Sequence, residues 1–78
     1  MNKEEKQSVL TPMSATISKY VVKLGDEVKS GDTVVVIEAM KMEMDIPSPI
    51  DGKVEEINFK NGEHVAINDV LATISLKI

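Results

Sequence analysis

The chain is one pattern written twice. Shifting the sequence by 37 residues lays it on itself: Pro12 falls on Pro49, Lys23 on Lys60, Gly25 on Gly62, Val28 on Val65, Asp32 on Asp69 and Ile37 on Ile74. Apolar character repeats at Met13/Ile50, Ile17/Val54, Tyr20/Ile57, Val22/Phe59 and Val34/Leu71, and small size at Ala15/Gly52. Val21/Asn58 and Ser30/Ile67 break the match. Two units are too few for a solenoid, which needs roughly three or more. They suit two half-domains packed face to face, each covering the other's apolar side. The shift also carries Lys41 onto Glu4 and Ile78. The termini are therefore expected together at one end, with Lys41 at the other.

Local patterns name the units. Thr33-Val34-Val35-Val36-Ile37 is a β-branched run behind Gly31, the strongest strand signal in the chain. It does not alternate, so burial on both faces is expected for part of its length. Thr16–Val22, Val54–Phe59 and Val70–Ile74 also read as strands, and Gly25-Asp26, Lys29–Asp32 and Asn61-Gly62 as turns. Glu38–Ile46 has helical propensity, yet Met42, Met44 and Ile46 alternate with Glu43 and Asp45 at the period of a half-buried strand. Pro47 and Pro49 forbid a continuing helix. Strand–turn–strand follows, with the turn at Met40 and Lys41 and with Met44 in the core. The turn lacks Asn-Gly or Asp-Gly, so local sequence does not dictate its geometry. The expected fold is all-β, a flattened barrel or sandwich of about eight short strands. Residues 1–7 read as a flexible polar tail or a linker from a larger assembly, and 8–78 as the domain.

Composition narrows function. A chain of 78 residues has no room for a nucleotide-binding domain beside a substrate domain. Without cysteine it has neither disulfides nor thiolate metal sites, and the single His64 builds no histidine cluster. All nine basic residues are lysine, against thirteen acids, for a net charge of −4. That argues against a nucleic-acid partner. Tyr20 and Phe59 are too few for base-stacking platforms. No apolar stretch reaches the length of a membrane span, and the N-terminus lacks a signal-peptide core, so a cytoplasmic chain without membrane insertion is expected.

Three of the five methionines crowd Met40, Met42 and Met44 around Lys41. Methionine is flexible and polarizable and recurs where partners must be accommodated. The string Glu38-Ala39-Met40-Lys41-Met42 closely resembles the attachment signature of biotinyl domains, as in biotin carboxyl carrier proteins. Thr11-Pro12-Met13, Gly25-Asp26, Gly31-Asp32, Ile46–Gly52, Gly62 and Val65 are similar to that family too, so the resemblance runs from about residue 9 to 76. Ser14-Ala15 stands where many members have Pro-Gly, and Asn68 where many have Gly. The resemblance implies two four-stranded antiparallel sheets with the attachment lysine on a hairpin turn. It implies that Lys41 takes covalent biotin from a biotin protein ligase, which reads Glu38, Ala39, Met40 and Met42. It implies that the arm shuttles carboxylate between biotin carboxylase and carboxyltransferase or decarboxylase sites. The chain itself is then a carrier and no enzyme. The short turn has no room for the protruding loop of some acetyl-CoA carboxylase carriers, which favours the simpler decarboxylase, pyruvate or propionyl types, or a free-standing attachment protein.

Lysine suits that role because its stem lengthens the arm and amide formation removes its charge. The amine must lose a proton to attack, an activation left to the ligase. Lipoyl domains share the architecture but more usually carry Asp-Lys-Ala at the turn. An unmodified interaction module is a third reading. Glu43 and Asp45 form either a ligase-recognition patch or the wet side of a strand. Glu55-Glu56 point to opposite faces of a strand and make no acid/base dyad. His64 reads as a surface histidine.

Overall fold

The computed structural model describes residues 5–76, and among these every regular element is a strand. The strands are β1 (Lys6–Leu10), β2 (Ala15–Tyr20), β3 (Glu27–Val28), β4 (Thr33–Ala39), β5 (Met42–Pro47), β6 (Gly52–Ile57), β7 (His64–Val65) and β8 (Val70–Leu76). They form two four-stranded antiparallel sheets, in the orders β1-β8-β6-β3 and β5-β4-β2-β7. Aliphatic side chains from both sheets meet in one core, including Ile17, Val34, Ile37, Val54, Leu71 and Ile74.

The 37-residue repeat is the symmetry of this sandwich. Adding 37 to β2 and β4 gives β6 and β8 residue for residue, and each sheet order maps onto the other. Irregularities map as well: the register slips between Ile17 and Lys19 and again between Val54 and Glu56. The loops obey the same rule. Gly25 N–H donates to Val54 O at 2.9 Å, and Gly62 N–H to Ile17 O at 2.8 Å. Lys23 N–H is held by the Asp26 carboxylate at 2.9 Å, and Lys60 N–H by Glu63 at 2.7 Å. Buried Thr11 and Ser48 each donate a hydroxyl to the carbonyl two residues on, Met13 O at 2.6 Å and Ile50 O at 2.7 Å. Gly31 (φ 94°) corresponds to Asn68 (φ 73°). Asparagine is among the few side chains that tolerate this left-handed backbone, which accounts for its standing in for glycine there.

Val34 to Ile37 are all buried, as the unbroken β-branched run requires of an interior strand. The expected tail needs correction at its end. β1 begins at Lys6, because the Lys6 and Gln7 backbone pairs with Ser75 and Ile74 of β8. Lys6 also forms an ion pair with Glu55 at 3.2 Å. The rest of the tail reading, residues 1–4, lies outside the described residues. The β1–β8 pairing brings the two ends of the described residues together, Lys6 beside Ser75. The symmetry operation exchanges that end for the β4–β5 turn.

Candidate functional site

β4 and β5 are joined by two residues only, Met40 and Lys41, with Ala39 paired to Met42 on either side. Both turn residues have positive φ, 53° and 65°. That is the signature of a type I′ hairpin turn, which ordinarily selects Asn-Gly. An L-residue with a full side chain pays roughly 1–2 kcal/mol in this region. The sequence thus keeps two disfavoured residues at the apex where two favoured ones would close the same hairpin. Strain of this kind collects at functional positions.

Exposure agrees. Met40 is 93% exposed and Met42 71%, and Lys41 is exposed between them. Among the described residues the Lys41 ammonium has no hydrogen-bond or ion-pair partner. Register sorts the neighbouring side chains into two faces. Ile37/Met44 and Val35/Ile46 pair on the core side, and Ala39/Met42 continue that face to the rim of the core, where Ala39 still packs against it and Met42 is exposed. Glu38 pairs with Glu43 on the outer side, and Val36 with Asp45. The core placement expected for Met44 fails: it is 37% exposed, and of β5 only Ile46 is buried. The alternation is present, but β5 is the edge strand of its sheet: Ile37, its partner on β4, is fully buried while Met44 beside it stays open to solvent.

The outer face is a polar row across the sheet. Thr16 lies between His64 on β7 and Glu38 on β4, and Glu38 lies next to Glu43 on β5. Thr16 Oγ1 is 3.0 Å from His64 Nδ1, and Ser18 Oγ donates to Glu43 at 3.3 Å. Sequence reading singled out neither Thr16 nor Ser18, since only cross-strand register brings them beside the motif. Glu55 and Glu56 are engaged separately, with Lys6 and with Thr73 at 3.4 Å, and share no site. Among the described residues no three metal-ligating side chains converge. A groove of about 280 Å³ lies between the edge strands β1 and β5, lined by the symmetry pairs Val9/Ile46, Leu10/Pro47 and Pro12/Pro49, away from the turn. No helix among the described residues is long and apolar enough to cross a membrane. Tyr20 donates its hydroxyl to Leu71 O at 2.8 Å, and burial pushes its phenol above the ordinary value.

The arrangement is an exposed primary amine on a two-residue turn, flanked by two exposed thioethers. It can be acylated by an outside agent and can present what is attached.

Comparisons with known proteins fit this geometry. A family model of the biotin/lipoyl class, described as "Biotin-requiring enzyme", matches residues 7–74. The chain is 46% identical over 67 residues to the methylcrotonoyl-CoA carboxylase subunit alpha, mitochondrial, of Dictyostelium discoideum, covering 86% of this chain and 10% of that protein. It is 36% identical over 59 residues to the dihydrolipoyllysine-residue acetyltransferase component of the pyruvate dehydrogenase complex of Acholeplasma laidlawii, covering 76% of this chain and 11% of that one. It superposes on the crystal structure of the Kluyveromyces lactis urea carboxylase with a TM-score of 0.86 and 35% identity, over 95% of this chain and 6% of the other. The chain therefore spans about a tenth or less of the length of these relatives.

Proposed function

This chain belongs to the biotin/lipoyl family of biotin-requiring enzymes, and on that premise we propose that it is a biotin carboxyl-carrier module with Lys41 as the point of attachment. The observation that carries the proposal is the Lys41 side chain, exposed and without a partner among the described residues, on a turn whose two residues both have positive φ. A biotin protein ligase would read the rim of Glu38, Ala39, Met40 and Met42. The lysine nitrogen would attack the carboxyl carbon of biotin activated with ATP, forming an amide and releasing the adenylate and a proton. The proton released from the amine would pass to a group of the ligase. Bound biotin would supply the atom that carries carboxylate. The domain contributes a tether, and tethering raises the effective concentration of the arm at its partners to the order of mM for short linkers. Those partners are a biotin carboxylase and a carboxyltransferase or decarboxylase. We further place the module in the cytoplasm. The Dictyostelium relative is mitochondrial, so fractionation of cells carrying a tagged chain checks this.

Intact mass after co-expression with biotin protein ligase tests the assignment. The expected result is one biotin increment, lost in Lys41→Ala. An increment that survives that substitution, or none in the parent chain, overturns it. The acetyltransferase relative supports a lipoyl reading as the alternative. Co-expression with lipoate ligase would then give a lipoyl increment in place of biotin. No increment under either ligase would leave an unmodified interaction module.

A further inference from the structure

The tip holds an oxidisable rim whose sulfur chemistry takes no part in forming the amide. Four methionines lie among the described residues, and they differ sharply in access. Met40 is 93% exposed, Met42 71% and Met44 37%, while Met13 is half-buried where Thr11 bonds to its backbone. The chain has no cysteine to intercept an oxidant first. We infer that the Met40 and Met42 thioethers, exposed on either side of Lys41 and outside the core cluster, are a sulfoxidation site for hydroperoxides that turns the apolar rim of the lysine polar.

The chemistry is an oxygen transfer. A thioether sulfur lone pair attacks the terminal peroxide oxygen, and the O–O bond breaks. The sulfur is oxidised to the sulfoxide and the peroxide is reduced to water, or to an alcohol for an organic peroxide. A thiol-dependent sulfoxide reductase would reverse the step. Sulfoxide replaces a soft apolar contact with a strong dipole and a new stereocentre. Neither side chain packs in the core, so oxidation leaves the fold intact and changes only what a partner meets. The consequence for attachment rests on the carrier reading. The site itself rests on exposure alone.

The full chain is treated with hydrogen peroxide and mapped by peptide mass over time, and its ligase-dependent biotinylation rate is compared before and after. Oxygen is expected on Met40 and Met42 first and on Met13 last. The thermal midpoint should not move, and acylation should slow roughly tenfold because the partner loses apolar contact. In Met40→Leu/Met42→Leu, the rate with peroxide should equal that variant's own rate without it. Oxidation of Met13 as fast as Met40 overturns the inference, as does an unchanged rate in the doubly oxidised parent. An untreated chain that takes no biotin defeats the carrier reading instead, and the order of oxidation then decides the site.

Discussion

Single side chains at the turn and in the core decide what this molecule presents. Met40 occupies a backbone position that asparagine fills more readily. Met40→Asn is expected to raise stability by about 0.5–1 kcal/mol, read as a higher urea midpoint at constant slope. A fall would mean that the turn is not strained. Tyr20 offers a pH-dependent test. Its folded-state pKa is raised, chiefly by burial, with the nearby Glu63 carboxylate adding to it and a Phe59 backbone hydrogen bond opposing it. The unfolded chain therefore releases that proton first. Its contribution is fully present below the ordinary phenol range and is lost as pH rises through the raised value. Tyr20→Phe should cost about 1 kcal/mol near neutrality through the bond to Leu71. The gap to the parent should narrow or reverse in alkali, and a constant gap up to strong alkali would refute this account. The sequence made Lys41 legible because its neighbours form a specific string. It misplaced Met44, because alternation reports which face a residue is on and not whether its strand lies at the edge of the sheet.

Elements differ in how openly the sequence declared them. β4 and its repeat β8 were plain as runs of β-branched and aliphatic residues, and the turns at Gly25, Gly31 and Gly62 rest on positive φ. β3 and β7 are two residues each, too short to carry any period, and only pairing with β6 and β2 defines them. The start of β1 was hidden in polar residues, since an edge strand buries little. Gly52 and Ala15 matched as small residues, but the reason was not legible. A Cβ on Gly52 would be driven into the Ser75 backbone carbonyl of β8 and against Ile74. Gly52→Ala should therefore cost about 3 kcal/mol through overpacking between two paired strands. Denaturant unfolding measures it, and a loss below about 1 kcal/mol would mean that β6 and β8 part easily. Ser48→Ala strips the Ile50 carbonyl of its buried donor and should cost about 1–2 kcal/mol.

At the level of the whole molecule, the two-fold repeat explains why a thin core suffices. Each half supplies the apolar face that the other lacks, and even the loop hydrogen bonds are duplicated. Because β1 and β8 pair at the ends of the chain, a circular permutant joined there and opened between Met40 and Lys41 should fold to the same two sheets. Amide exchange would show β4 and β8 protected as before. Loss of protection in β4 alone would show that the hairpin closes the second sheet and that the symmetry is only formal. The exchange of ends has one more consequence. Like a palindrome, this body has no intrinsic front or back. Direction enters where the backbone is interrupted, so a ring-closed version would offer two geometrically interchangeable tips from which to hang cargo.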